Sequence, residues 1–131
     1  MLSNPIELFV TGNNLEGFTY EGGSKLFHFS SHDNGLTKNM EVNVIFMADD
    51  LGHAENVLAR MFAFVVAKSL QYAAYKDQHD PKDRNLFALQ ARAKANQYSG
   101  WLIALAEKNI TIKEAPTGQF YKVGWACNDT I

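Results

Sequence analysis

His28, Ser30, Ser31 and His32, within the stretch KLFHFSSHDNG at 25–35, are the residues whose types and spacing come nearest to chemistry. His28-Phe29-Ser30 is one H-x-S element. A phosphoesterase of the two-histidine kind needs two such elements on neighbouring strands, so that two imidazoles exchange acid and base roles across the phosphate. The remaining histidines read His32-Asp-Asn, His53-Ala-Glu and His79-Asp-Pro, so no second element exists. A metal shared by His28 and His32 would require a sharp turn, because on an extended chain a spacing of four spreads the side chains roughly 13 Å apart. Ser31-His32-Asp33-Asn34 are turn formers. The expectation is a strand meeting its turn, with no catalytic residue and no metal ligand there.

Other chemistries fare similarly. Cys127 is the sole cysteine, near the C-terminal end and without a neighbouring histidine, and reads as an inert thiol. Gly22-Gly23-Ser24-Lys25 lacks the upstream glycine of a phosphate loop and has no helix after it. With no complete catalytic motif and no cofactor signature, the chain does not read as an enzyme and no cofactor is expected.

The 131 residues suit one domain, and 47% apolar with 20% charged content is that of an ordinary globular protein. The opening MLSNPIELFV has neither a basic nor an apolar leader region. No uncharged apolar run approaches the ~18 residues of a membrane span. A single cysteine suits a reducing compartment, so a cytoplasmic location is expected. The net charge of −2 is unevenly spread. Residues 1–50 set seven acids against Lys25 and Lys38, whereas Lys82, Arg84, Arg92, Lys94 and Lys108 outnumber Asp83 and Glu107 in 81–108. Generic nucleic-acid binding needs a domain-wide basic excess, which is missing.

The hydropathy pattern predicts short strands at 6–10, 16–20 and 24–30, with Gly22-Gly23 as a hairpin turn. A clearer strand at 40–48 has apolar residues on both faces and belongs in mid-sheet. Asp49-Asp50 caps a helix from Leu51 to about Lys76 that is apolar all round through 61–67, so it needs cover from more than one side. Asp80-Pro81 starts a second helix running to about Lys108. Its stripes read as Phe87, Ala91, Tyr98 and Leu102, and as Leu89, Ala93, Trp101 and Ala104. Strands at 110–115 and 120–126 close the chain, joined by Pro-Thr-Gly as a hairpin. The order β-β-β-β-α-α-β-β makes this an α+β chain, with an antiparallel sheet and a long antiparallel helix hairpin in a single domain.

The turn between the helices carries an anion argument. A helix start presents free N–H groups, and Lys82 and Arg84 add charge. Asn85 offers an amide for a base edge, Tyr72 and Tyr75 can stack on a planar ring, and Arg92 continues the basic face. Asp77, Asp80 and Asp83 oppose phosphate there. A capped, solvated turn is the plain alternative.

In size, in its N-terminal strands, long helix pair and closing strands, the chain resembles the phage anti-defence family of Thoeris-type immunity. The likeness is one of architecture and no motif carries it. It implies a small cytosolic homo-oligomer that sequesters a cyclic ADP-ribose-like or cyclic nucleotide signal without degrading it. It also implies pockets near subunit contacts, with arginines on phosphates and aromatic and asparagine side chains on bases. Tyr75, Arg84, Asn85 and Arg92 supply those types. Two alternatives remain: a protein-binding inhibitor acting through Glu16, Glu21 and Glu41, and a single-stranded nucleic-acid module stacking bases on Phe18, Tyr20, Phe27 and Phe29.

Overall fold

Alternation of apolar side chains decides how the sheet is covered. In the computed structural model, which describes residues 17–36, 40–79, 86–114 and 124–129, two strands form its centre. They are β1 (Lys25–Ser30) and β2 (Met40–Ala48), antiparallel, with Phe27 opposite Phe46 and Phe29 opposite Val44. Phe27, Phe29, Val42, Val44, Phe46 and Ala48 are all buried and share the covered face. Leu26, His28, Asn43, Ile45 and Met47 take the other face and are half-buried.

Two helices follow, α1 (Leu51–His79) and α2 (Leu86–Ala106), and then two more strands, β3 (Lys113–Glu114) and β4 (Gly124–Asp129). The sheet order is β3-β1-β2-β4, antiparallel throughout. The α+β class, the helix hairpin and the mid-sheet place of residues 40–48 agree with the sequence. The predicted hairpin of the last two strands does not: β3 adds to β1 on one edge and β4 to β2 on the other. A clamp explains the first attachment. Asn34 donates to the Thr111 carbonyl (3.1 Å) and accepts from its N–H (2.7 Å), drawing the chain after α2 to the turn that follows β1. The predicted strand at 6–10 and the Pro116-Thr117-Gly118 turn lie outside the described residues.

Residues 17–23 are no strand, against expectation. The alternation of Phe18 and Tyr20 serves side-on packing. Phe18 meets Phe64 edge-on at 5.5 Å, and the Tyr20 hydroxyl accepts from the Met47 N–H (3.1 Å), beyond the point where β4 stops at Ile45. Gly22-Gly23 is therefore no hairpin turn. Gly23 lies so close to the β2–α1 junction that a Cβ would fall 2.2 Å from the Ala48 carbonyl carbon.

Asp50 caps α1, its carboxylate accepting from His53 N–H (2.8 Å). The centre of the core is aromatic. Phe62 meets Phe29, Tyr98 and Trp101 edge-on at 5.4–5.6 Å, and Tyr98 lies 4.5 Å from Trp101. The core face of α2 is Ala88, Ala91, Ala95, Tyr98, Trp101 and Leu105. This cuts across the two predicted stripes: Leu89 is exposed, as is Phe87. Small Ala91 and Ala95 lie on the buried face, while Ala93 faces out.

α2 ends in a Schellman arrangement, Asn109 N–H to Ala104 C=O (2.8 Å) and Lys108 N–H to Leu105 C=O (3.1 Å). Lys108 takes the left-handed position there, at φ 63°.

The hairpin outruns the sheet. The main core takes α1 only as far as Val65; Tyr72, Ala73, Ala88 and Ala91 form a second, separate cluster made of helix residues alone. From Val65 to His79 is 14 residues, roughly 21 Å of helix. By length and composition α1 could cross a membrane; 44% of its most apolar window is buried within the chain.

Candidate functional site

Three places gather polar or aromatic side chains. The first is the tip of the hairpin. Lys76 reaches back over the buried Tyr72 ring (5.7 Å to the centroid) and also over Phe87 of α2 (5.6 Å), so one ammonium bridges both helices. Tyr75, 46% exposed, lies against His79 one turn on, with centroids 4.3 Å apart. Arg92 forms an ion pair with Asp77 across the hairpin, and both side chains remain about half exposed. The tip is thus an open surface of ring faces and cations. Such a surface can stack a planar ring and pair an anion. Among the described residues, one copy of it does not enclose a ligand and places no nucleophile beside a base.

Of the four residues singled out from sequence, the structure brings Tyr75 and Arg92 to this tip. Arg84 and Asn85 lie outside the described residues. Arg92 is engaged by Asp77, so it meets an anion only by sharing or leaving that carboxylate. Tyr72 is buried and offers no stacking face to a ligand. Phe27 and Phe29 are in the core and Phe18 and Tyr20 pack against it, which removes the base-stacking surface expected of those four rings.

The second place is the stretch that first suggested chemistry. β1 ends at Ser30 and residues 31–35 turn, as expected. A shallow cleft of about 20 Å³ there is lined by His28, Ser30, Asp33, Asn34, Thr111 and Lys113. That is room for roughly one water molecule. Its polar atoms hold the turn together: Ser30 Oγ accepts from Asp33 N–H (3.1 Å), and His28 Nε2 hydrogen-bonds Asn43 Oδ1 (3.1 Å). Buried Ser31 Oγ accepts from Val42 N–H (2.8 Å), tying the turn to β2. The H-x-S element is a strand end fastened to its turn.

The third place was not legible in the sequence, because its members lie 32 and 39 residues apart. Glu21 receives Arg60 through both carboxylate oxygens (2.5 and 3.1 Å) and pairs with His53 Nε2. Asp49 N–H donates to His53 Nδ1 (2.9 Å). The hydrogen-bond pattern therefore puts the imidazole proton on Nε2, facing Glu21. Arg60, and after it His53, hold the Glu21 carboxyl well below its usual range, at about 2, and Glu21 in turn raises the Arg60 guanidinium. With both imidazole nitrogens committed, His53 is no free base. The cluster latches residues 17–24 onto the first turns of α1. It also occupies Glu21, one of the three acids of the inhibitor reading; the side chains of Glu16 and Glu41 lie outside the description. Among the described residues no three His, Cys, Asp or Glu side chains converge on a metal position.

The fold and this tip define an α+β chain with an exposed surface that is partly aromatic and partly basic. No family model, no curated protein and no solved structure matches it.

Proposed function

We propose that the chain is a small ligand-binding protein that works as a homo-oligomer and sequesters a planar, phosphate-bearing signal of the cyclic ADP-ribose or cyclic nucleotide kind without degrading it. The observation that carries the reading is the concentration of exposed rings and cations at the hairpin tip. Leu70, Tyr75, Leu86, Phe87 and Leu89 are five of the seven large apolar side chains exposed among the described residues, and Lys76 and Arg92 lie among them. Exposed apolar surface of this kind marks a contact site. A second copy set against the tip would supply the walls that one copy lacks.

The test is native mass spectrometry before and after adding a panel of cyclic nucleotides and cyclic ADP-ribose isomers. An oligomer that gains one intact ligand mass, released unchanged on denaturation, is the expected result. Tyr75→Ala removes a stacking face worth about 1–3 kcal/mol, so affinity should fall roughly 10- to 100-fold. Asp77→Asn frees Arg92 and removes a carboxylate that repels phosphate, so affinity should rise. An unchanged mass with every compound overturns the ligand reading and turns the same apolar tip into a protein-binding surface, to be pursued by partner capture.

A further inference from the structure

Asn34-Gly35 is the one asparagine–glycine pair in the sequence, and it sits in the turn that fastens β3 to β1. Such a pair has a chemistry of its own. The backbone nitrogen after an asparagine can attack the carboxamide carbon, and glycine leaves that approach unhindered because it has no Cβ. Gly35 is exposed, takes a left-handed backbone at φ 67°, and has nothing within 4 Å of where a Cβ would stand. The cleft of about 20 Å³ beside Asn34 admits roughly one water molecule.

The closed turn keeps the reacting groups apart. Gly35 N–H donates to the His32 carbonyl (3.0 Å), so the attacking nitrogen is engaged. The Asn34 carboxamide is pinned by three bonds: Nδ2 donates to the carbonyls of Ser30 (2.8 Å) and Thr111 (3.1 Å), and Oδ1 accepts from Thr111 N–H (2.7 Å). Turning Cγ towards the Gly35 nitrogen breaks all of them. The opening that frees the chain before β3 is therefore the opening that lets Asn34 react. Thr111 itself is exposed between Ile110 and Ile112, which are buried in the core, so the clamp holds the strand from its solvent side.

We infer that Asn34 is a site of spontaneous deamidation, held off while the clamp is closed, and that its reaction releases β3 irreversibly. The Gly35 nitrogen bonds to Cγ, the Cγ–Nδ2 bond breaks, and ammonia leaves with the proton from Gly35. Water then opens the succinimide at either carbonyl, giving aspartate or, with the chain rerouted through Cβ, isoaspartate. A carboxylate has acceptors only. In aspartate the oxygen replacing Nδ2 faces the Ser30 and Thr111 carbonyl oxygens, where two hydrogen bonds had been. In isoaspartate the extra backbone carbon takes the turn out of register. This release is a property of the scaffold and does not depend on the proposed ligand.

The test is incubation of the full chain at mildly alkaline pH, native and in guanidinium, with peptide mass mapping over time. Conversion at Asn34 ahead of every other asparagine is expected. In the native chain it should be slowed by the same factor that protects the Thr111 amide from hydrogen exchange, since both report one opening. Gly35→Asn keeps the left-handed turn, which asparagine tolerates, yet sets a Cβ beside the attacking nitrogen and should suppress conversion in both states. Asn34→Asp, the aspartate product made directly, should quicken Thr111 exchange roughly tenfold, with the helical circular dichroism unchanged. Native conversion as fast as in guanidinium, or slower than the Thr111 opening allows, overturns the inference. Unaltered Thr111 exchange in Asn34→Asp overturns it as well.

Discussion

Gly23→Ala is a one-methyl change whose effect follows from three distances. The new Cβ would lie 2.2 Å from the Ala48 carbonyl carbon, 2.4 Å from its Cα and 2.6 Å from Asp49 N. Carbon atoms rest at about 3.5–4.0 Å, so the two backbones must part by roughly 1.3 Å or more. Neither is a side-chain end that can swing away. Overpacking of this kind costs about 1–3 kcal/mol. Parting also stretches Ser24 N–H to Asp49 Oδ1, already 3.2 Å, and loosens Tyr20 from Met47 N–H; a lost hydrogen bond adds about 1 kcal/mol. A total of about 2–4 kcal/mol is expected, from a stability on the order of 5–15 kcal/mol. In urea, with a slope near 2 kcal/mol per molar, the midpoint should fall by about 1–2 M. Hydrogen exchange at the Met47 amide should quicken beside a control. Gly52→Ala is that control, exposed in the first turn of α1 with its nearest atom 3.5 Å away, and should be neutral or stabilising. A Gly23→Ala protein within about 0.5 kcal/mol of wild type, with Met47 exchange unchanged, would refute the close approach and with it the latch.

Phe62→Ala removes the ring shared by Phe29, Tyr98 and Trp101, and should cost about 3–5 kcal/mol in denaturant unfolding; a loss under 1 kcal/mol would mean the aromatic centre is not packed as described. Ser69 is buried between the two helix clusters with no hydrogen-bond partner for Oγ among the described residues, so Ser69→Ala should raise stability by about 1 kcal/mol, and a loss of that size would show that the hydroxyl is satisfied. The Glu21 carboxyl titrates at about 2 in the folded chain against an ordinary value of 4.5. Its stabilising contribution is therefore complete above about pH 4.5 and is lost as pH falls towards 2. The gap in melting temperature between wild type and Glu21→Gln should close across that window, and a gap that persists at pH 2 would contradict the Arg60–His53 latch.

The parts of the fold that were readable from sequence are those whose cause is local. Residues 40–48 are apolar on both faces, and the strand has those bounds; Asp49-Asp50 stops it and Asp50 caps the helix. Strand neighbours have a different kind of cause. The turn residues Pro116-Thr117-Gly118 suggest a hairpin, but β3 is positioned by the side chain of Asn34, 77 residues before Thr111. Phe18 and Tyr20 alternate as in a strand because one packs on a helix and the other caps a strand edge. In α2 the apolar residues cover two opposite faces, so periodicity alone could not give the phase of the buried one.

That double-faced helix also explains why the candidate surface was half legible. Tyr75 and Arg92 could be named by residue type, and both lie towards one end of the hairpin, Tyr75 against His79 and Arg92 against Asp77. What residue type could not convey is that the sheet stops supporting the helices near Val65, whereas α1 continues for four more turns. A two-helix projection has only one inner face, and here four small or aromatic residues fill it. Every other apolar side chain along that length must face water or a partner. The projection keeps Leu70, Leu86, Phe87 and Leu89 exposed although a shorter hairpin would satisfy the sheet equally well. Length beyond the core, apolar where it is exposed and basic at its edge, is what a contact surface requires and what stability of the single chain does not.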